Sequence, residues 1–245
     1  MVWRVPSASV LAHEGLPFAN PLSKADVEQG IAALDLPDGA RVLETGCGAA
    51  EVLVRVLVSY PSAVGVGVDS DADWLSRARA NADARIPGRK VEFVHAAADD
   101  AGLCPGSFDA VVNVAASHAH GGYPTALPAL AALVRPGGVV LLGEGFWARE
   151  PSLAFLEALG GATEDELGSL DELVGHTRAA GLEPVFQAVA SPADWAHYEE
   201  SLIGNAEVRD DEDSLAYARL IRDRRELPEG GSTMGFAMLT TRKAG

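Results

Sequence analysis

Cysteine and long apolar runs are scarce in this sequence of 245 residues. The two cysteines, Cys47 and Cys104, are too few for a disulfide framework and lack the spacing of metal ligands. No run of about 18 apolar residues occurs, so no transmembrane helix is expected. Residues 1–10 have no long apolar core and do not resemble a secretory signal. We therefore expect a protein of the reducing cytoplasm, without a metal site.

Basic residues are also few. Nineteen Lys and Arg stand against 35 Asp and Glu, which gives a net charge of −16. Such a surface repels phosphate backbones, so we expect neither a nucleic-acid partner nor a membrane partner. Solubility explains the charge most simply, and steering of a cationic substrate is the alternative. Part of the charge lies in the cluster 210–213, which we expect to open a helix because carboxylates suit a helix N-terminus.

Strand-like and helix-like segments alternate from Arg41 onward. The predicted strands are short apolar runs, at 41–45, 63–68, 90–95, 108–114, 139–143, 182–189 and 234–241. The predicted helices have apolar spacing or capping signals, at 50–60, 70–85, 123–134, 169–180, 191–205 and 214–226. This alternation argues for a parallel sheet that is covered by helices on both faces.

A loop with two glycines follows the first predicted strand. Gly46 and Gly48 have no Cβ, so they allow a sharp turn and a close backbone approach to a ligand. A dinucleotide site requires a third glycine in the pattern Gly-x-Gly-x-x-Gly, where this sequence has Glu51. A carboxylate there would repel a pyrophosphate. The loop therefore favours a ligand without phosphates over NAD.

An acidic residue ends the second predicted strand. Asp69 is placed to accept hydrogen bonds from the two ribose hydroxyls of a nucleoside, and its alternative role is to cap the next helix. Trp74 follows one turn later and either lies along an adenine ring or packs in the core. Together with the glycine loop, Asp69 favours a nucleoside site.

Four motifs resemble those of the class I methyltransferases that depend on S-adenosylmethionine (SAM). They are Val42–Gly48, Val66–Asp69, Phe108–Val112 and Leu133–Val139, in this order and at typical spacing. Outside this core, residues 116–122, 143–147 and 191–198 resemble a small group of bacterial methyltransferases. That group has an unassigned or small-molecule substrate.

The resemblance implies an α/β fold with a Rossmann-like, seven-stranded, mostly parallel sheet that is sandwiched by helices. The last strand would be antiparallel. A single SAM-binding domain would span residues 1–245, with an N-terminal lid segment, 1–35, and a helical insertion, 191–231.

The same resemblance implies SAM as the cofactor. Glu44 would lie near its methionine end and Asp69 would bind its ribose. Ala97 stands where family members usually carry Asp, so Asp99 or Asp100, or the backbone of Ala98, would contact adenine. The residues expected to bind the cofactor are Glu44, Thr45, Gly46, Cys47, Gly48, Asp69, Ser70, Trp74, Ala98, Asp99 and Asn113.

Three residues are candidates for catalysis. Methyl transfer to an oxygen or nitrogen requires an aligned nucleophile and removal of its proton. His118 and His120 follow the fourth predicted strand, and at this spacing we expect only one to point into the site. The resemblance favours His118, whose other role would be to line the pocket. Glu144, after the fifth predicted strand, would orient an amine or a hydroxyl.

Substrate contacts are expected from the N-terminal segment, the loops after the fourth and fifth predicted strands, and the insertion. The candidates are His13, Phe18, Asn20, Ser117, His118, Phe146, Trp147, Trp195 and Tyr198. Core packing is the alternative for the aromatic residues among them.

The predicted activity is SAM-dependent methyl transfer to O, N, S or C of a small molecule, by a monomer or homodimer. Asn113 begins the run Asn-Val-Ala-Ala, so the tetrapeptide (Asp/Asn)-Pro-Pro-(Tyr/Phe) of amino-methylating nucleic-acid and glutamine enzymes is absent. The alternatives are a peptide or protein methyltransferase, a catalytically silent SAM-binding partner or sensor, and an NAD(P) oxidoreductase, which Glu51 disfavours.

Overall fold

The computed structural model describes residues 11–209, 211–228, 230–231 and 233–245. Its strands are β1 (Arg41–Thr45), β2 (Val64–Asp69), β3 (Val91–His95), β4 (Phe108–Val114), β5 (Val134–Trp147), β6 (Leu182–Val189) and β7 (Met234–Lys243). They form one sheet in the order β3-β2-β1-β4-β5-β7-β6. The pairings from β3 to β5 are parallel. The sheet is mostly parallel with an antiparallel strand pair, which confirms the predicted fold class.

Helices connect and flank these strands. They are α1 (Lys24–Ala32), α2 (Glu51–Ser59), α3 (Ala72–Arg85), α4 (Tyr123–Leu133), α5 (Leu153–Ala158), α6 (Leu170–Ala179), α7 (Pro192–Arg209) and α8 (Glu212–Glu226). Short 3-10 turns lie at Ala98–Asp100, Ser117–His120 and Glu164–Glu166. Among the described helices, none combines the length and the apolar character needed to cross a membrane.

Strand β1 lies inside the sheet because both of its faces are apolar. Val42 and Leu43 are fully buried, and β1 pairs with β2 on one side and with β4 on the other. At the end of β1 opposite to the glycine loop, the carboxylate of Asp109 accepts hydrogen bonds from the backbone N–H of Arg41 at 2.8 Å and from Nε of Arg135 at 2.6 Å. Asp109 therefore ties the first residues of β1, β4 and β5 together.

The predicted bounds of β1, β4 and β6 agree with the structure, whereas β5 is longer than predicted. It was expected at 139–143 and runs from Val134 to Trp147. The register with β4 shifts between Phe108 and Ala110, so the Pro-Gly-Gly segment forms an irregularity within the strand instead of a break. Helix α5 was not predicted.

Side-chain caps fix the starts of two helices. The cap of α3 is Asp71, one residue beyond the predicted start of this helix at residue 70: the Asp71 carboxylate accepts the N–H of Asp73 at 2.8 Å and of Trp74 at 3.3 Å. Asp211 caps α8 by accepting the N–H of Ser214 at 2.9 Å, as expected of the acidic cluster. Asp210, from the same cluster, lies outside the described residues.

The chain divides into two compact units. The larger comprises Lys24–Glu144, Glu172–Ala188 and Met238–Gly245, and it contains the glycine loop. The smaller comprises the described residues up to Ser23, Gly145–Asp171 and Val189–Ala237. The predicted lid segment is thus divided, with 11–23 in the smaller unit and α1 in the larger, while residues 1–10 lie outside the described residues. Its role as a lid, and the single domain, stay predictions.

Removal of the α3 cap should destabilise the protein measurably. We expect Asp71→Ala to lower the free energy of unfolding by about 1 kcal/mol, because two backbone N–H groups lose their acceptor. Asp71→Ser, which keeps a capping oxygen, should retain most of the stability. Urea unfolding monitored by circular dichroism measures both, and equal losses in the two variants would contradict the capping role.

Candidate functional site

The glycine loop is held closely against the loop that follows β4. Gly46 has a φ of +61°, and a Cβ added to it would lie 2.4 Å from Cβ of Ala116. Gly48 has a φ of +51°, but a Cβ there would meet only the ring of Trp74, at 3.9 Å. Both glycines are required by their left-handed conformation, and Gly46 is also required by the close approach of Ala116.

Asp69 joins the end of β2 to the glycine loop. One oxygen of its carboxylate accepts the N–H of Gly48 at 2.8 Å, and the other accepts the N–H of Asp71 at 2.9 Å. These two bonds fix the plane of the carboxylate. Each oxygen has a second lone pair, so the group remains able to accept hydrogen bonds from two neighbouring hydroxyls.

Glu44 is a buried carboxyl group at the end of β1. Its side chain accepts the N–H of Leu53, in the first turn of α2, at 3.1 Å. Burial raises the pKa of Glu44 to about 8; the Leu53 amide opposes this shift, and the negative charges of Asp69 and Glu51 add to it. A cation that approached this edge would favour the ionised form of Glu44.

Thr45 and Cys47 are buried beside Glu44. Nδ2 of Asn113, on β4, donates to the carbonyl of Thr45 at 3.3 Å and to its hydroxyl at 3.0 Å. Oδ1 of Asn113 is buried and accepts no hydrogen bond within the described part of the chain. Burial raises the pKa of the Cys47 thiol, so this residue acts as a small apolar side chain.

The remaining predicted cofactor residues lie around the ends of β2 and β3. Trp74 is half-buried and outside the buried core, next to Gly48, with the guanidinium of Arg77 at 5.2 Å from its ring. Ser70 is exposed, and its carbonyl contacts Nε2 of His95 at 3.1 Å. Ala98 and Asp99 belong to the 3-10 turn that follows β3.

The two candidate histidines differ in exposure. The 3-10 turn after β4 buries the side chain of His120, at 4% exposure, and leaves His118 exposed in part. Nδ1 of His120 lies 3.4 Å from Oδ1 of Asp99, a pairing that sequence reasoning missed because the two residues lie on different loops. The surrounding protein lowers the pKa of His118 by partial desolvation; the charge of Asp69 opposes this shift, and His120 adds to it.

Ser117 and Glu144 are both buried in the larger unit. Ser117 starts the turn that carries the histidines, and Glu144 lies on β5 one residue beyond Gly143, whose carbonyl accepts the N–H of Ala115. The structure therefore places all three candidate catalytic residues in the larger unit, on segments that follow or form the ends of β4 and β5.

Three of the predicted substrate residues meet in the smaller unit. Nε2 of His13 lies 2.7 Å from the hydroxyl of Tyr198, and the rings of Tyr198 and Trp195 make an edge contact at 6.2 Å. Burial raises the pKa of Tyr198 far above its usual range, so its hydroxyl stays protonated. Phe18 and Asn20 are buried, and Oδ1 of Asn20 accepts the N–H of Leu22.

Phe146 and Trp147 pack inside the smaller unit. Trp147 forms a buried cluster with Phe155 and Leu156, and its indole N–H donates to the carbonyl of Glu164 at 2.8 Å. Phe146 lies against Gly235, where an added Cβ would collide with the ring. These contacts favour the core-packing alternative for both aromatic residues.

Glu51, which occupies the third glycine position, is not an isolated charge. Its carboxylate pairs with Arg55 and Arg85 and accepts a hydrogen bond from Asn81. Because two guanidinium groups compensate it, Glu51 would repel a pyrophosphate less than the sequence suggests. The charge of Glu51 therefore disfavours a dinucleotide only weakly.

The collision at Gly46 distinguishes the two glycines. We expect Gly46→Ala to destabilise the protein by roughly 1–3 kcal/mol more than Gly48→Ala, because only the first adds overpacking to backbone strain. The double variant Gly46→Ala/Ala116→Gly should recover part of this difference. Urea unfolding of the three variants tests this, and equal losses at Gly46 and Gly48 would argue against the close packing.

The raised pKa of Glu44 should appear in the pH dependence of stability. Between the ordinary pKa of 4.5 and about 8, the folded protein retains a proton that the unfolded chain releases, so this group lowers stability as the pH rises. Glu44→Gln should therefore gain stability relative to the native protein as the pH increases from 5 to 8. Urea titrations across this range measure the gain. Glu92→Gln, at an exposed carboxylate of β3, is the matched control and should show no such trend.

This chain is similar to known methyltransferases. Residues 42–138 match the family described as methyltransferase domain. The uncharacterized protein YjhP of Escherichia coli K12 is 28% identical over 168 residues, 68% of this chain and 66% of its own. The fatty-acid O-methyltransferase of Mycolicibacterium smegmatis is 32% identical over 136 residues, 52% of this chain and 48% of its own. The matches thus span about half to two thirds of these relatives.

Solved structures show the same fold. A SAM-dependent methyltransferase from Geobacter sulfurreducens, crystallised with S-adenosylhomocysteine, has a TM-score of 0.84 at 22% identity, and the match covers 98% of this chain and 99% of that one. The family match covers β1 to the start of β5, the segment that contains the glycine loop, Asp69 and the two histidines. Residues 42–138 thus carry a methyltransferase domain, and these motifs, this fold and these relatives support a class I SAM-dependent methyltransferase.

Proposed function

We propose that this protein transfers the methyl group of SAM to a small-molecule acceptor and releases S-adenosylhomocysteine. The observation that carries this proposal is the junction of Asp69 with the glycine loop, where the carboxylate is oriented by the N–H groups of Gly48 and Asp71. Two fixed carboxylate oxygens match the two adjacent hydroxyls of a ribose. Gly48, where an added Cβ would meet only the ring of Trp74, leaves the adjoining backbone open to a close ligand.

The residues around Glu44 suit the methionine end of SAM. When bound, SAM supplies a sulfonium-activated methyl group, which needs no further activation by the protein. The buried carboxyl of Glu44 and the buried Oδ1 of Asn113 are acceptors on the β1 and β4 side of Asp69. Such groups match the ammonium of the methionine part, a donor without acceptors of its own.

His118 is the proposed proton acceptor for an oxygen or nitrogen nucleophile. It lies on the turn after β4 and is exposed in part, so its proton can exchange with solvent. Its lowered pKa favours the neutral imidazole near pH 7, which is the form that accepts a proton. An acceptor that is already ionised, such as a thiolate or carboxylate, would not need this step.

A small acceptor is favoured over nucleic acid by the net charge of −16. The name of one relative, the fatty-acid O-methyltransferase, also specifies a small acceptor. The turnover assay with different acceptor classes identifies the atom that is methylated.

Binding and turnover test this proposal separately. Isothermal titration calorimetry should show binding of SAM and S-adenosylhomocysteine and no binding of NAD. Asp69→Ala should weaken S-adenosylhomocysteine binding by more than tenfold, because hydrogen bonds to a charged group contribute about 1.5–3 kcal/mol. Asp73→Ala, which removes an exposed carboxylate from the first turn of α3, is the control and should bind S-adenosylhomocysteine normally.

Turnover is measured as release of S-adenosylhomocysteine with panels of small carboxylates, phenols, amines and thiols. Methylation of one small-molecule class is the expected result. Methylation of peptides alone would replace the acceptor class, and cofactor binding without any methylated product would indicate a silent binding protein. Binding of NAD in place of SAM would overturn the proposal.

A further inference from the structure

His120 is a buried imidazole without a hydrogen bond. Its side chain is 4% exposed, and neither ring nitrogen hydrogen-bonds to any residue that the structure describes. Leaving a buried polar group unsatisfied is unfavourable. The nearest acid is Asp99, whose Oδ1 lies 3.4 Å from Nδ1, and Nε2 on the other side of the ring has no partner. Nε2 is therefore an unsatisfied polar group, of the kind that a bound ligand can satisfy.

Asp99 assigns the two ring nitrogens different roles. A carboxylate next to Nδ1 favours the tautomer that carries its proton on Nδ1. Nε2 of the neutral ring then has a free lone pair, so it accepts a hydrogen bond and does not donate one. The ligand group opposite Nε2 should accordingly be a donor.

His120 follows β4, and its contact with Asp99 brings this acceptor to the turn after β3, on one side of the ribose site. Asp69 ends β2, the glycine loop and Glu44 lie on the β1 side, and the turn with Asp99 lies on the β3 side. The ribose of SAM carries methionine sulfur and adenine at opposite ends. If acceptors for the ammonium lie on the β1 side, the adenine extends toward β3, where Asp99 and His120 meet.

We propose that His120, beside Asp99, recognises the exocyclic amine of adenine through Nε2, an inference that rests on the proposed SAM function. The amine is the donor that distinguishes adenine from hypoxanthine. Ala97 and Ala98, at the start of the turn after β3, offer no side-chain acceptor for it. Oδ1 of Asn113 is also buried without a partner, but the amide of Asn113 is bonded to Thr45, on the β1 side of Asp69.

Paired binding measurements test this assignment with the full chain. The probes are S-adenosylhomocysteine and S-inosylhomocysteine, in which a carbonyl replaces the amine, and both dissociation constants are measured by calorimetry. We expect the native protein to prefer the adenosyl compound. His120→Ala should weaken its binding by about tenfold, the equivalent of one hydrogen bond, and leave binding of the inosyl compound nearly unchanged. His120→Gln, whose amide oxygen is an acceptor, should retain part of the preference.

The role of Asp99 is tested with a matched pair of variants. Asp99→Asn should reduce the preference, because the tautomer is no longer fixed, whereas Asp100→Asn, next to it in the same turn, should keep it. Equal weakening of both ligands in His120→Ala and His120→Gln would mean a structural role and overturn the inference, as would an unchanged preference. A loss of preference in Asp100→Asn alone would assign the amine to Asp100 instead. If the native protein binds neither compound, the proposed function itself fails, whereas tight binding with an unaltered preference in His120→Ala removes only this inference.

Discussion

The carboxylate of Asp69 is the junction on which the candidate site depends. By accepting one backbone N–H from the glycine loop and one from the start of α3, it fixes two chain segments that come from different strands. The loop after β4 is then positioned by packing, because Ala116 fills the space that a side chain at Gly46 would need. The orientation of the Asp69 carboxylate, the turn of the glycine loop and the placement of the histidines are therefore coupled through backbone geometry, and a change at any one of them should affect the others.

Local charge matters more at this edge of the sheet than the net charge of the chain. Burial raises the pKa of Glu44, and the negative charge of the nearby Asp69 adds to this shift. Glu51, by contrast, is compensated by Arg55 and Arg85. A cationic ligand favours the ionised form of Glu44 and pairs with it, whereas a polyanionic one is repelled by Asp69. SAM carries a sulfonium and an ammonium and NAD carries a pyrophosphate, so the preference for SAM follows from Glu44 and Asp69. From the sequence alone, Glu51 was expected to cause this preference for SAM over NAD.

The sequence predicted the elements whose local pattern is independent of the rest of the chain. Strands β1, β4 and β6 begin and end as expected, because apolar runs bounded by glycine or polar residues specify a strand directly. The length of β5 could not be predicted, since Pro136 and two glycines normally end an element and are accommodated here by a shifted register with β4. The contact of Gly46 with Ala116 and that of His120 with Asp99 join residues far apart in sequence, so no local pattern reports them.

The two histidines show how a short turn separates two chemical roles. In a 3-10 helix each residue advances by about 120°, so residues two apart point in clearly different directions. The sequence argument that only one of them enters the site is consistent with this geometry, but it favoured His118, whereas the structure buries His120. Proton transfer needs exchange with solvent, and recognition of a neutral amine needs an acceptor that is shielded from water. Exposure therefore suits His118 to acid–base chemistry, and burial suits His120 to recognition of the cofactor. Two residues that look equivalent in the sequence are thus not interchangeable in the fold.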